Sequence, residues 1–124
     1  MQTIAFKIPR ILLGLFMAII GLNKFLVFTE IPGPPGDGGD LMRIYIDSGF
    51  LQLVGVLEMI GGIALLANRF VPVAVTVITA VMFNATLFHV FHDPAGVGPA
   101  AFCLALCGGV LFEHRERFAE FFRV

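Results

Sequence analysis

Four long apolar runs occupy most of this chain and constrain its fold more than any other feature. The runs cover residues 11–28, 50–67, 70–91 and 97–112. A helix of roughly 20 apolar residues crosses a bilayer, so each run is long enough, or nearly so, for one span. With 58% of residues hydrophobic and only 14% charged, the chain also lacks the charges that would cover a soluble globule. We therefore predict one integral membrane domain over residues 1–124.

The runs favour helices over barrel strands. Strands of membrane barrels are about ten residues long and alternate in polarity, whereas these runs are longer and continuously apolar. Asn68 and Arg69 are the only residues between the second and third runs, which requires an antiparallel return. The predicted fold is all-α, an up-down-up-down four-helix bundle.

The segment between the first two runs has a different composition. Residues 29–40 are rich in proline and glycine and are predicted to form an exposed loop. Residues 41–49 have mixed polarity and are predicted to form a short helix along the membrane interface, with Tyr45 as an interfacial residue. The whole segment 29–49 is then an outer loop, folded back as a cap over the outer half of the bundle.

Charged residues predict the orientation. With four spans, one side receives nearly all of the basic residues, and these are Lys7, Arg10, Arg69, Arg115, Arg117 and Arg123. The positive-inside rule makes this side the cytoplasm, with both termini on it. A basic start before an apolar run also suits a signal peptide, but no small-residue cleavage site follows, so we interpret it as a retained helix. The net charge of −1 argues against a nucleic-acid partner.

Polar residues inside the spans are costly and mark candidate sites. They are Asn23, Lys24, Gln52, Glu58, Asn84 and His89. Alternating helix directions place them in the outer half of one bundle, and the sharpest hypothesis is a Lys24–Glu58 pair completed by Asn84. Three interpretations stay open: a structural lock, a functional site for a proton, quinone or small polar ligand, or a snorkelling Lys24 that leaves Glu58 protonated.

Two further pairs carry weaker signals. His89 and His92 have a spacing that suits a metal or haem, but Asp93-Pro94 should end the helix there, which favours a polar helix end or a hydrogen bond to Asp93. Cys103 and Cys107 are four apart, a spacing that disfavours a mutual disulfide and favours buried packing. No metal site is predicted.

Several segments in order resemble the DoxX-like family of small bacterial membrane proteins. They are Arg10–Gly14 leading to Gly21–Phe25, Val54–Gly62 followed by Asn68–Phe70, and Asn84–His89 running into Asp93-Pro94. The resemblance implies a four-helix protein of the bacterial inner membrane. The family's name comes from a relative linked to a thiosulfate:quinone oxidoreductase, and some members work in membrane complexes that answer oxidative stress. The matching polar positions are Asn23, Lys24, Glu58, Asn84 and His89, and the resemblance supplies no catalytic role for them.

The function predicted from these features is a membrane subunit or accessory component of a quinone- or thiol-linked redox system. Quinone is the one cofactor that this reading implies. The predicted partners are the lipid bilayer, other membrane redox proteins and further copies of the chain. Two alternatives remain, a structural or assembly partner without chemistry and a small proton-linked transporter. The sequence leaves open whether the protein is an enzyme.

Overall fold

The computed structural model describes residues 4–26 and 34–123, and within them every regular element is helical. The α-helices are α1 (Ile4–Leu26), α2 (Asp37–Ser48), α3 (Phe50–Leu66), α4 (Val71–His92), α5 (Val97–Glu113) and α6 (Arg115–Phe118). Short 3-10 turns follow α4 at Pro94–Gly96 and α6 at Ala119–Phe122. The all-α prediction is confirmed.

Length and composition identify two helices of the described residues that could each cross a membrane, and these are α4 and the continuous stretch Pro94–Glu113. The pair α2 and α3, bent by 77°, would add a third if it forms one span. Helix α1 has 23 residues but carries three cations, Lys7, Arg10 and Lys24. The end of the first predicted run, at residues 27–28, and the loop residues 29–33 lie outside the described residues.

The boundary of α2 corrects the predicted loop. The helix begins at Asp37, so the last four residues of the segment predicted as a loop are helical. Asp37 and Asp40 lie in its first turn, where carboxylates interact favourably with the positive end of the helix dipole. Gly49 ends α2 with a φ of 84°, a left-handed conformation that glycine adopts without steric cost, and α3 starts at the next residue.

Glycines bring α1 and α3 into close antiparallel contact. A Cβ on Gly21 would lie 2.4 Å from the carbonyl oxygen of Gly55, and one on Gly62 would lie 2.6 Å from that of Gly14. Backbones approach this closely only where side chains are absent. Gly14 and Gly21 of α1 therefore pack against glycines of α3.

The four long helices share one core. Helix α1 packs on α3 and α5, and α4 packs on the same two helices. The side chains with no exposed surface include Leu13, Met17, Leu65, Val75, Ile78, Cys107 and Val110. Cys103 and Cys107 are free buried thiols, as the packing interpretation predicts.

Large apolar side chains cover the outside of the bundle. Phe70, Val73, Phe83 and Phe91 are all more than half exposed, and they belong to a longer series on every long helix. A soluble protein rarely exposes so much contiguous apolar surface. Lipid is the solvent that such a surface requires.

Candidate functional site

The contact between α1 and α3 places a lysine against a glutamate. Because the two helices are antiparallel, Lys24 lies beside Gly55 and Glu58 lies beside Gly21: a Cβ on Gly55 would lie 2.9 Å from the Cβ of Lys24, and one on Gly21 would lie 3.1 Å from the Cβ of Glu58. The long side chain of Lys24 spans the remaining distance along the contact. The Lys24 Nζ donates to Glu58 Oε1 at 2.7 Å and to Oε2 at 2.6 Å. The side chain of Glu58 is 1% exposed and that of Lys24 is 21% exposed.

This arrangement satisfies Glu58 and leaves Lys24 with spare capacity. Charge-assisted hydrogen bonds of this length are among the stronger ones in proteins, and the counter-charge offsets the cost of burying a carboxylate. An ammonium group carries three N–H donors, of which the carboxylate takes two. Within residues 4–26 and 34–123, no other acceptor binds the third N–H of Lys24, which lies on the partly exposed side of the pair.

A cavity of about 410 Å³ opens beside the ion pair. It lies where α1, α2, α3 and α4 meet, and its polar lining comes from Lys24, Tyr45, Glu58, Asn84 and His89. Apolar side chains form the remaining walls. The volume lies within the range of small-molecule sites, and so does the combination of a mainly apolar lining with a few convergent polar groups.

The structure brings four of the five predicted site residues to this cavity, but not all as predicted. Asn84 lies on the α4 wall, largely exposed, and among the described residues it makes no hydrogen bond to Lys24 or Glu58, so it does not complete the pair. Met82 faces the core, and two residues at about 100° per residue turn Asn84 away from the core, to the exposed side of the cavity. Asn23 is half-buried on α1 and does not line the cavity.

His89 is held at the end of α4 by Asp93. Its Nδ1 donates to Asp93 Oδ2 at 3.2 Å, which is the predicted hydrogen bond to Asp93. The backbone of Gly96 packs against the ring, because a Cβ there would lie 2.5 Å from Nδ1. In residues 4–26 and 34–123, no three His, Cys, Asp or Glu side chains cluster closely enough to hold a metal ion.

Helix α2 supplies cavity residues that sequence reasoning missed. Met42 and Tyr45 face the cavity, although Tyr45 was predicted only as an interfacial residue. Gln52 stabilises the bend between α2 and α3, because its Nε2 donates to the carbonyl oxygen of Ile46 at 3.2 Å. The sequence signal that could have identified these cavity residues was the mixed polarity of residues 41–49. This pattern predicts a helix with an apolar face, but it does not predict which part of the bundle that face contacts.

Arg10 has a different role from the one its sequence position suggests. It was assigned to the basic flank of the first span, but it is only 7% exposed, and its Nη1 donates to the carbonyl oxygen of Leu65. The carbonyl oxygen of Leu65 also accepts from the backbone N–H of Asn68 at 3.1 Å, so Arg10 adds a second hydrogen bond at the end of α3. Arg10 therefore joins α1 to α3 at the end opposite Lys24.

The apolar surface, the helical fold and the buried ion pair define a small integral membrane protein with a polar cavity among its helices. The DoxX family model matches residues 5–93, which extend from α1 to the end of α4. The chain therefore belongs to the DoxX family, as its resemblance predicted. Comparisons with curated proteins and with solved structures give no match.

Proposed function

We propose that this protein is a membrane subunit or accessory component of a quinone- or thiol-linked redox system, and that its cavity binds the head of a quinone. The observation that carries this proposal is the donor set in the cavity. The third N–H of Lys24, the side-chain amide of Asn84 and the hydroxyl of Tyr45 are set among apolar walls. Carbonyl oxygens are the acceptors that such donors bind, and a quinone ring carries one at each end.

The charges of the cavity also suit a neutral ring. Lys24 and Glu58 compensate each other, so a charged head would add an unpaired charge beside them. Reduction of a quinone takes two electrons and two protons. The electrons would come from a partner redox protein, and Glu58 and His89 are titratable groups beside the ring that could pass protons.

We propose a four-span, up-down-up-down topology in the bacterial inner membrane, with both termini cytoplasmic. The mutual packing of α1, α3, α4 and α5 supports four spans, since each of these helices contacts two of the others. Basic residues at the start of α1, after α3 and after α5 support the orientation. The family resemblance supports the bacterial location.

The test is quinone binding by the purified protein in nanodiscs. A decyl-substituted para-benzoquinone should bind the unaltered protein, and Asn84→Leu should weaken binding by about tenfold, the equivalent of about one hydrogen bond. Val90→Ala is the control, because Val90 is exposed on the same helix and lies outside the cavity lining. Absence of binding to the unaltered protein would refute the proposal.

A structural role is the second candidate, and the burial of the Lys24–Glu58 pair favours it. The pair joins α1 to α3 and would fix their register without any chemistry. Glu58→Gln separates the two readings. Lost binding with an unchanged unfolding midpoint supports the quinone site, whereas normal binding with earlier unfolding supports the lock.

A further inference from the structure

A second groove continues the cavity along the outside of the bundle. It has a volume of about 280 Å³ and lies between α3 and α4. Its walls include Leu57, Ile60 and Ala64 from α3, with Val73 and Val77 from α4 and Phe70 just before α4. All of these side chains are apolar, whereas the cavity beside it contains the ion pair.

The groove and the cavity adjoin at one residue. Leu57 lines both of them, and it precedes Glu58 in the chain. From Leu57 the groove follows α3 to Ala64, seven residues further, which corresponds to ~10 Å at the helical rise of about 1.5 Å per residue. The cavity that contains the ion pair thus continues into an apolar groove of the length of several methylene groups.

The α3–α4 groove opens on the lateral surface of the bundle rather than at an end that faces water. Leu53, Leu57, Ile60 and Val73 are each at least 40% exposed, and they lie on the apolar outer surface that faces lipid. Met42 and Tyr45 of α2 line the cavity but not the groove. A ligand that reaches the ion pair along the α3–α4 groove therefore comes from the bilayer.

We infer that the ligand of this protein is an amphiphile with a neutral, carbonyl-bearing head and one linear apolar tail, and that the tail lies in the α3–α4 groove. This inference rests on the proposed function, because it assigns the head to the cavity of Lys24 and Glu58. It adds the tail, the place where the tail lies, and lateral access from the membrane. A head with a net charge is disfavoured because Lys24 and Glu58 already compensate each other.

The apolar tail should determine where the ligand lies more than how tightly the ligand binds. Lipid chains are as apolar as the groove, so moving a tail from one to the other gains little hydrophobic free energy. Position is therefore the property to measure. The probe is the decyl-substituted para-benzoquinone with a photoreactive diazirine at the end of its tail, bound to the protein in nanodiscs and mapped by mass spectrometry after illumination.

We expect crosslinks within residues 60–77, and we expect excess unlabelled quinone to suppress them. Val77→Phe fills the groove with a larger side chain and should reduce these crosslinks by about tenfold while the head still binds. Val90→Phe is the matched control, because it makes the same change at an exposed position of α4 outside both linings. Its crosslinks should equal those of the unaltered protein.

The outcomes separate this inference from the proposed function. Competable crosslinks confined to α1, α2 or α5 would overturn the tail position and leave the quinone site standing. Crosslinks that no quinone competes, together with absent binding, would overturn both. Co-purification of a stoichiometric phospholipid that the quinone fails to displace would overturn the neutral head.

Discussion

Replacing Gly21 by alanine tests how the contact between α1 and α3 holds the ion pair. The new Cβ would lie 2.4 Å from the carbonyl oxygen of Gly55 and 2.7 Å from the amide nitrogen of Met59. Both are backbone atoms, which no rotamer change can move. Since ordinary contact begins at 3.4 Å, the helices must separate locally by about 1.0 Å (3.4 − 2.4).

That displacement sets the magnitude. Overpacking of this kind costs about 1–3 kcal/mol, and the higher helix propensity of alanine returns about 0.5–1 kcal/mol. Lys24 lies one turn further along α1, with its Nζ 2.6 Å and 2.7 Å from the carboxylate oxygens of Glu58. An added separation near 1 Å would exceed hydrogen-bond range. We expect a net loss of up to about 2.5 kcal/mol of unfolding free energy, together with weaker quinone binding.

The assay uses the chain's own thiols. Cys103 and Cys107 are its two cysteines and both are buried, so their reaction with a maleimide in increasing SDS reports opening of the core. Gly108→Ala is the control, because a Cβ at Gly108 has nothing within 4 Å. In the Gly108→Ala variant, the two thiols should react with the maleimide at the same SDS concentrations as in the unaltered protein. If Gly21→Ala protects them equally, the close-contact argument is refuted.

Three further changes test other parts of the site and of its support. Lys24→Met should lower the free energy of unfolding by about 3–5 kcal/mol, because it leaves a buried carboxylate unpaired. Adding Glu58→Leu should restore the free energy of unfolding to within about 1 kcal/mol of the unaltered protein, and a double variant as unstable as Lys24→Met would contradict this. Gly96→Ala should displace the ring of His89, whose Nδ1 would lie 2.5 Å from the new Cβ, and should lower quinone affinity in a titration; unchanged affinity would remove His89 from the site. Arg10→Met should cost about 1.5–3 kcal/mol through the lost bond to the end of α3, measured by the same thiol protection; full protection would show that this bond is dispensable.

Much of the helical framework was predictable because it depends on local composition. The apolar runs coincide with the long helices, and the break at Asp93-Pro94 coincides with the end of α4. The start of α2 was not predictable in this way. Proline and glycine in residues 29–40 predict a loop, but Asp37 begins a helix that is stabilised by its first-turn carboxylates and by packing of Gly38 against His92.

The candidate site was predictable as a set of residues rather than as an arrangement. The cost of polar groups in lipid singled out Lys24, Glu58, Asn84 and His89, and all four line one cavity. That Asn84 makes no bond to the pair depends on the rotation of α4 about its own axis. Arg10 is a similar case, since its partner is a carbonyl group that lies 55 positions away in the chain.

By itself, the sequence determined that lipid surrounds this protein and that its long apolar runs are helices. Hydropathy is a sum over neighbouring residues, and within lipid a helix satisfies all the backbone hydrogen bonds of such a run. Only the tertiary structure decided which polar groups meet. Helices that are apolar on all sides do not show which face is turned to lipid and which to the core, so their rotations follow from packing. The contact of Gly21 with Gly55 sets one such rotation, and it places Lys24 against Glu58.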